Sequence, residues 1–192
     1  MHRRPLLDLL ERYEAVCPEQ QCSVERVRAL VRSHVDCLER TCLPGHVTAS
    51  AWILSHDDRC FLLTHHRKLG RWLQLGGHAD GEPDVAQVAL REAREESGML
   101  EFDWVTTRGE LLPVDVDVHR IPPFGAEPAH EHHDIRFVLR AKPGQALRMS
   151  AESRDLRWFE MEPMHAIVVE ESLARLGRRA RELLRSEGRG GD

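Results

Sequence analysis

The sequence predicts an α/β fold in which a sheet packs against helices and follows an N-terminal helical extension. Three observations predict this fold class. Apolar residues recur at helical spacing in two segments before residue 44, strand-like segments follow from residue 46, and a glycine-rich loop then enters a helix that stops at Gly98. With 192 residues, of which 41% are hydrophobic, the chain can bury the core of one compact domain with an extension.

The two N-terminal helices are expected over residues 5–16 and 24–40, with Ser23 as the N-cap of the second. We divide the chain into a helical extension packed on the core, residues 1–44, and a main domain, residues 45–192. The pattern leaves open whether the extension is a simple cover, a substrate lid or a dimer surface. The apolar stripes are Leu6, Leu9, Leu10 and Tyr13 in the first helix and Val24, Val27, Leu30, Val31, Val35 and Leu38 in the second.

The main domain is expected to begin with two paired strands, residues 46–54 and 60–64, joined by a turn at residues 55–58. A strand–loop–helix unit follows. Further strands are predicted within residues 103–118, within 133–141 and at 156–159. A closing helix is predicted over about residues 164–185, and the Gly-rich tail after Ser186 has the composition of a disordered segment.

The most informative segment is acidic and lies between residues 91 and 99. Glu92, Glu95 and Glu96 are spaced i, i+3 and i+4, so in a helix they share one face. Arg91 can reach Glu95 one turn on, but one guanidinium cannot neutralise three carboxylates. This face therefore suits the hard divalent cations Mg²⁺ or Mn²⁺, whereas the alternative is an ordinary salt-bridged surface helix.

This segment resembles the Nudix box, which reads G, five residues, E, seven residues, R-E-U-x-E-E-x-G-U, where U is bulky and apolar. The ordered spacing is far more specific than a lone glycine-rich loop. The resemblance implies a Nudix-like α/β/α sandwich with a mixed β-sheet over about residues 45 to 186. The positions on pattern are Gly77, Arg91, Glu92, Glu95, Glu96, Gly98 and Met99, with Ala93 as a small stand-in for a larger apolar residue.

One position departs from the box, because Pro83 stands where the first Glu is expected. A proline cannot bind a cation, but it suits the first turn of a helix. Glu82 and Asp84 flank it and could supply the missing charge. In the family that first Glu is commonly structural, so we interpret Pro83 as a variation in how the helix is entered.

The resemblance implies divalent-metal-dependent hydrolysis of a nucleoside diphosphate linked to another group, in which water attacks phosphorus while the ions clamp the diphosphate oxygens. The implied metal ligands are Glu92, Glu95, Glu96 and the backbone carbonyl of Gly77, and Arg91 is implied to orient Glu95. Glu92 is the first candidate for the general base. Glu152, on a loop that could swing over the metals, is the second.

Three candidate substrate-binding residues lie around the glycine loop. His78 and Asp80 directly follow the glycines, and Arg71 comes shortly before them. If the helix begins after this loop, its N-terminus lies near bound phosphate or metal. We therefore predict that His78, Asp80 and Arg71 contact the substrate, while the alternative for Arg71 is a polar hairpin.

A histidine-rich segment provides two further candidate substrate-binding residues, His130 and His132. If this segment enters a strand, alternation puts both histidines on one face with Asp134, and His133 on the other. With His119, these imidazoles could contact substrate phosphates, bind a transition metal or line a polar surface. The sequence leaves these alternatives open.

Charge and hydropathy limit the partners. The net charge of −5 and the lack of a basic stripe favour a small nucleotide, such as an ADP-ribose-like compound, over long nucleic acid. No apolar run reaches membrane-spanning length, and the basic start lacks a secretory pattern, so we expect a cytoplasmic protein without a membrane partner. A homodimer is left open.

Two other functions fit the same resemblance. One is a catalytically silent Nudix domain that senses a nucleotide, against which the intact set of Glu92, Glu95 and Glu96 speaks. The other is an isomerase of isoprenoid diphosphates, which would need a catalytic cysteine near the metal, whereas Cys60 lies on a predicted core strand. Reduced thiols are the expected state of the five cysteines, with a zinc site or disulfide among Cys17, Cys22, Cys37 and Cys42 as the alternative.

Overall fold

A computed structural model of the protein describes residues 2–162 and 170–187, and shows a mixed sheet with helices on both faces. Helix α1 spans Arg4–Val16 and α2 spans Gln21–Ser33, with a single 3₁₀ turn, Pro18–Gln20, between them. The elements that follow are β1 (Gly45–Leu54), β2 (Cys60–His66), β3 (Trp72–Leu73), β4 (Leu75–His78), α3 (Val85–Ser97), β5 (Phe102–Trp104), β6 (Asp115–Ile121), β7 (His130–Ala141), β8 (Ser153–Glu160) and α4 (Glu171–Glu187).

The centre of the sheet is the parallel pair of β1 and β7, in register along the whole length of β1. On one side, β1 pairs antiparallel with β4 and, at its C-terminal end, with β2, which in turn pairs with β3 and β8. On the other side, β7 pairs antiparallel with β6 and β5. Every residue of β1 is buried, as expected for a central parallel strand that is covered on both faces.

Helices cover both faces of this sheet, so the predicted α/β/α sandwich is confirmed. On one face α3 shares a hydrophobic cluster with α1, α2, β1 and β7. On the other face α4 packs through Leu173, Leu176 and Ala180 against residues such as Trp52 and Phe61. The helical extension therefore contributes directly to the core beneath α3, whereas a domain boundary at residue 44 stays a prediction.

The second N-terminal helix is shorter than predicted, since it ends at Ser33 rather than at residue 40, and its N-cap is Gln20 rather than Ser23. Cys37, Leu38 and Cys42 are buried and imitate a continued helical stripe, although Val35 points outward with 68% exposure. The backbone of this segment bonds instead to other elements: Val47 N–H donates to Cys37 O (2.8 Å) and Gly81 N–H to Leu38 O (3.0 Å). Residues 34–44 therefore brace the loop that precedes α3.

The other predicted elements are present, although β6, β7 and β8 extend beyond the predicted ranges. The first two strands pair antiparallel as expected, and the three later strand predictions correspond to β5 and β6, to β7, and to β8. The closing helix spans Glu171–Glu187, so its last residue falls in the tail predicted after Ser186; its predicted start and the remainder of that tail lie outside the described residues. All five cysteines are free thiols, so the disulfide alternative is wrong.

Candidate functional site

The site is built on the strand–loop–helix unit formed by β4 and α3. Asp84 caps α3, because its Oδ1 accepts hydrogen bonds from Ala86 N–H (3.1 Å) and Gln87 N–H (3.3 Å). Gly98 ends the helix in the left-handed conformation at φ 72°. Pro83 precedes the capping residue and lies just outside the helix, in the segment that enters it.

Gly77 of β4 lies against the carboxylate of Glu92. A Cβ atom at position 77 would fall 2.6 Å from Glu92 Cδ and 2.7 Å from its Oε2. Only a residue without a side chain leaves this space to the carboxylate. The glycine and the first glutamate of the acidic face are therefore neighbours in space, as the motif predicts, although fifteen residues separate them along the chain.

Glu96 is the most enclosed of the three glutamates, with 7% of its surface exposed. Its Oε2 accepts a hydrogen bond from Gly76 N–H (3.2 Å), and no cationic side chain among the described residues pairs with it. Burial raises the pKa of Glu96 to about 8, with the backbone bond opposing and Glu92, Glu152 and Glu95 adding to the rise.

Glu92 is also strained electrostatically. Burial raises the pKa of Glu92 to about 7, against the charge of Arg91 and with the help of Glu95, Glu152 and Asp80. Glu95 lies one turn further and is exposed. The helix thus presents three carboxyl groups on a single face, two of them with raised pKa values, and a bound cation would stabilise their ionised forms.

Arg91 does not make the predicted pair with Glu95. Its Nη2 donates to Glu92 Oε1 (2.8 Å) and to the backbone carbonyl of His78 (2.8 Å), and no bond to Glu95 exists among the described residues. The side chain turns toward β4, because the His78 carbonyl there offers a second acceptor. Arg91 therefore ties Glu92 to β4 and fixes the position of that carboxylate.

These glutamates open onto a cavity of about 850 Å³. The predicted residues that line it include Gly77, Arg71, His78, Asp80, His132 and Glu152, together with Arg91, Glu92, Glu95 and Glu96. His130 does not line this cavity, so of the predicted substrate-binding residues it is the one placed away from it. Arg71 pairs with Glu170 at the rim, and Glu152 is exposed there.

The floor of the cavity contains a buried polar network that the sequence analysis missed. Asp134 Oδ2 accepts from Arg136 Nε (2.8 Å) and Ser50 Oγ (2.8 Å), and its Oδ1 accepts from Thr48 Oγ1 (3.1 Å). Arg136 also bonds to Asp115 (3.1 Å) and Asp117 (3.0 Å). Arg175 of α4 binds the same two acids, so the network joins α4 to the sheet.

Beside this floor, four histidine rings from three strands come together. His46 of β1 has ring-centroid distances of 4.9 Å to His130 and His132 and 5.0 Å to His78. His119 adjoins the group at 5.6 Å from His132. The predicted alternation on β7 holds, since His132 and Asp134 line the cavity while His133 lies beside Glu131.

Burial controls the ionisation of these rings. It lowers the pKa of His132 to about 2 and of His46 to about 4, and in both cases neighbouring histidines add to the effect. The pKa of His78 is also lowered, mainly by burial. The lowered pKa values favour the neutral form of these three rings, which carries one lone pair that can bind a ligand. Sequence reasoning gave His46 no role because its partners lie on strands distant along the chain.

Comparison with known proteins places this geometry in a family. The model of the NUDIX domain matches residues 44–183, whereas no curated protein matches the sequence. A NUDIX-family hydrolase from Clostridium perfringens has a TM-score of 0.57 at 22% identity, covering 72% of this chain and 97% of that one.

Two further structures share the fold. The dihydroneopterin triphosphate pyrophosphohydrolase of E. coli has a TM-score of 0.54 at 15% identity, covering 69% of this chain and 92% of that one. The Ap4A hydrolase of C. elegans has a TM-score of 0.51 at 18% identity, covering 73% of this chain and 98% of that one. Within residues 2–162 and 170–187, no helix has the length and apolarity needed to span a bilayer.

Proposed function

Because this chain belongs to the Nudix hydrolase family, we propose that it hydrolyses the phosphoric anhydride bond of a nucleoside diphosphate linked to another group. The observation that carries the proposal is the convergence of Glu92, Glu95 and Glu96 with Gly77 at one cavity. The family generally requires divalent cations. Acidic side chains gathered around a diphosphate would repel it unless such cations intervene.

The cation of this proposal is Mg²⁺ or Mn²⁺, held by Glu92, Glu95, Glu96 and the backbone carbonyl of Gly77. These residues offer only oxygen ligands, which such ions prefer. The fit is supported by Glu96, which is buried without a cationic partner among the described residues and has a raised pKa. When bound, the cation supplies positive charge that neutralises the diphosphate oxygens and stabilises the leaving phosphate.

Glu92 is our first candidate for the general base that takes the proton of the attacking water. It lines the cavity beside Glu95 and Glu96, and a cation bound there would keep its carboxylate ionised and therefore able to accept a proton. Arg91 acts as a positioning residue, because it holds Glu92 Oε1 and the carbonyl of β4 at the same time. Glu152 is the second candidate, since it lines the same cavity and its charge raises the pKa of both Glu92 and Glu96.

The proposed substrate is a small nucleotide, such as an ADP-ribose-like compound. The cavity volume of about 850 Å³ falls within the usual range for small-molecule sites, roughly 300–1,000 Å³. Arg71 and His78 are proposed to contact the phosphates, and Asp80 and His132 also line the cavity, whereas His130 does not line it and is left out of the proposed contacts. All five cysteines are free, which fits the reducing cytoplasm that we propose as the location.

The first experiment is a hydrolysis panel on the purified full chain with Mg²⁺, with Mn²⁺ and with EDTA. The panel contains ADP-ribose, other nucleoside diphosphate sugars, oxidised nucleoside triphosphates and dinucleoside polyphosphates. We expect cation-dependent turnover of at least one compound, reduced at least 100-fold in Glu96→Gln. Glu11→Gln, an exposed glutamate on α1, is the matched control and should retain full activity.

A second measurement separates the two candidate bases by recording Mn²⁺ affinity beside turnover. If Glu92 is both ligand and base, Glu92→Gln should weaken Mn²⁺ binding and abolish turnover, while Glu152→Gln should leave Mn²⁺ binding intact and reduce turnover only modestly. Loss of turnover with unchanged Mn²⁺ affinity in Glu152→Gln would assign the base to Glu152. Tight binding of one compound without hydrolysis would instead identify a nucleotide-sensing domain.

A further inference from the structure

A second cluster of metal-ligating side chains lies outside the carboxylate site. His46 of β1 and His130 and His132 of β7 each offer one ring nitrogen, and these three atoms lie within 4.8 Å of one another. The register of the parallel pair brings them together, because His46 is aligned directly with His132. Alternation along β7 then puts His130 on the same face.

The distance between two of these nitrogens fits a shared ion. His130 Nε2 and His132 Nε2 are 3.3 Å apart. Two imidazole nitrogens bound to one tetrahedral Zn²⁺, each at 2.0–2.1 Å, are separated by about 3.3–3.4 Å. A simple hydrogen bond between the two rings would also fit this distance, so the other members of the cluster decide between these explanations.

His46 distinguishes the two explanations. Only 2% of its surface is exposed, and neither ring nitrogen has a hydrogen-bond partner among the described residues. The nearby backbone of Cys42 raises the pKa of His46 against the effect of burial. It is not, however, placed to form a hydrogen bond of ordinary geometry with either ring nitrogen. A hydrogen bond between His130 and His132 would leave His46 buried and unsatisfied, whereas a shared ion gives all three rings a partner.

His130 is also held in the tautomer that a ligand needs. Its Nδ1 lies 2.9 Å from the carbonyl of Pro128, which can only accept, so this nitrogen carries the proton. The Nε2 lone pair then faces His132. A backbone carbonyl that fixes a ring in this manner is the usual outer partner of a metal-bound histidine.

We propose that His46, His130 and His132 form a binding site for a transition-metal ion of the Zn²⁺ class, separate from the carboxylate site on α3. The all-imidazole ligand set excludes Mg²⁺ as the preferred ion, because Mg²⁺ requires oxygen ligands, whereas neutral imidazoles suit Zn²⁺, Ni²⁺ and Cu²⁺. His78 lies next to the three ligands. Its ring centroid is 5.0 Å from that of His46 and 5.3 Å from that of His132.

An ion at this site would add a side-chain link between β1 and β7, beside the bonds that Thr48 and Ser50 make to Asp134. It would connect the first residues of β1 and β7. This place is next to the pairing of Thr48 of β1 with His78 of β4. His78 is adjacent to Gly77, and its carbonyl binds Arg91. The ion thereby stabilises the wall of the cavity that carries the glycine strand, independently of the reaction proposed above.

The test measures metal binding directly, so its result does not depend on finding a substrate. The full chain is stripped with a chelator, dialysed, and titrated with Co²⁺, whose visible absorption reports tetrahedral nitrogen coordination, and then with Zn²⁺ in competition. We expect one equivalent bound by the natural protein and by Glu96→Gln. Affinity should fall at least tenfold in His130→Ala and His132→Ala.

Two control variants identify the origin of the signal. His56→Ala removes an exposed histidine of the β1–β2 turn and should bind normally. His34→Ala removes a member of another candidate group, in which His34, Asp36 and Cys42 lie close together, and should also bind normally at the first equivalent. Melting curves of the metal-free variants check that His130→Ala, whose ring is half-buried at the start of β7, remains folded.

Three outcomes would overturn the proposal. They are the absence of Co²⁺ and Zn²⁺ binding, binding that survives in both His130→Ala and His132→Ala, and binding that disappears in His34→Ala or Glu96→Gln instead. Loss of binding in the two β7 variants alone, with both controls and Glu96→Gln unaffected, supports it. This result could hold even if the hydrolysis panel failed, so the two proposals can fail separately.

Discussion

The substitution Gly77→Ala separates the function of the glycine strand from its role in folding. The added Cβ would lie 2.6 Å from Glu92 Cδ, and all of its closest contacts are atoms of the Glu92 carboxylate. A comfortable carbon–carbon contact needs about 3.5 Å, so the carboxylate must move by roughly 1 Å. Because it is the end of a flexible side chain, the backbone need not move.

A displacement of this size should reduce catalysis far more than stability. Misplacing a catalytic group by about 1 Å can lower the rate by roughly 100-fold. We therefore expect Gly77→Ala to lose about 100-fold in turnover and to bind Mn²⁺ more weakly. Its melting temperature should change by no more than about 4 °C, which corresponds to about 1 kcal/mol in a protein of this size.

Gly76→Ala is the matched control, since it makes the same chemical change one residue earlier. Its Cβ would lie 2.3 Å from Ser50 Cβ, 2.6 Å from Ser50 Cα and 2.7 Å from the carbonyl of Ala49. These atoms belong to the central strand and cannot move alone, so overpacking should destabilise the protein by about 1–3 kcal/mol. Both substitutions lower the conformational entropy of the unfolded chain by a similar amount. The difference between their stabilities therefore reports the contacts made in the folded state.

The assays are thermal melting, turnover of the substrate identified by the panel, and Mn²⁺ binding followed by the electron paramagnetic resonance of the free ion. If Gly77→Ala had the same turnover and the same Mn²⁺ affinity as the natural protein, the idea that Glu92 must lie against β4 would be refuted. Equal losses of melting temperature in the two variants would refute the claim that movement of the Glu92 side chain relieves the contact.

Two further predictions concern pH and the buried charges. Above about pH 7.5, roughly one unit above the ordinary histidine pKa, most histidines of the unfolded chain are neutral. There the stability of the protein in EDTA should fall as the pH rises through about 8, because the raised pKa of Glu96 lets the folded state keep a proton that the unfolded chain has released. Melts between about pH 7.5 and 9 should show a flatter slope in Glu96→Gln, and an unchanged slope would contradict this explanation. Arg136→Leu should lower the free energy of unfolding, measured in urea, by about 3–5 kcal/mol, because Asp134 loses its buried counter-ion. Arg178 forms an exposed pair with Glu171, so Arg178→Leu should lower it by less than about 1 kcal/mol. A loss at position 136 no greater than that at 178 would be inconsistent with the network described.

The sequence predicted the features that depend on local spacing. The helical period put the three glutamates on one face, and the family resemblance implied that Gly77 lies beside them. Gly98 ends the helix as expected. The α/β/α arrangement was also accessible, because the family resemblance supplies a topology that strand and helix patterns alone do not determine.

Features that depend on distant strands could not be predicted. The place of His46 depends on the register of a parallel pair whose strands are separated by much of the chain, and no local pattern encodes that register. The partner of Arg91 depends on where the carbonyl of His78 lies. Likewise Leu38 continued a helical stripe in sequence, although it lies beyond the end of α2 and is buried in the core cluster there.

The parallel pairing of β1 and β7 has a consequence for the order of folding. The acidic helix is made well before β7 during synthesis, yet its sheet lacks its central partner strand until residue 141 has been added. Contacts between segments so far apart form slowly, because the intervening loop must first be closed. A nascent chain therefore carries the complete motif for some time without a cavity, and hydrolytic competence should appear only as β7 docks.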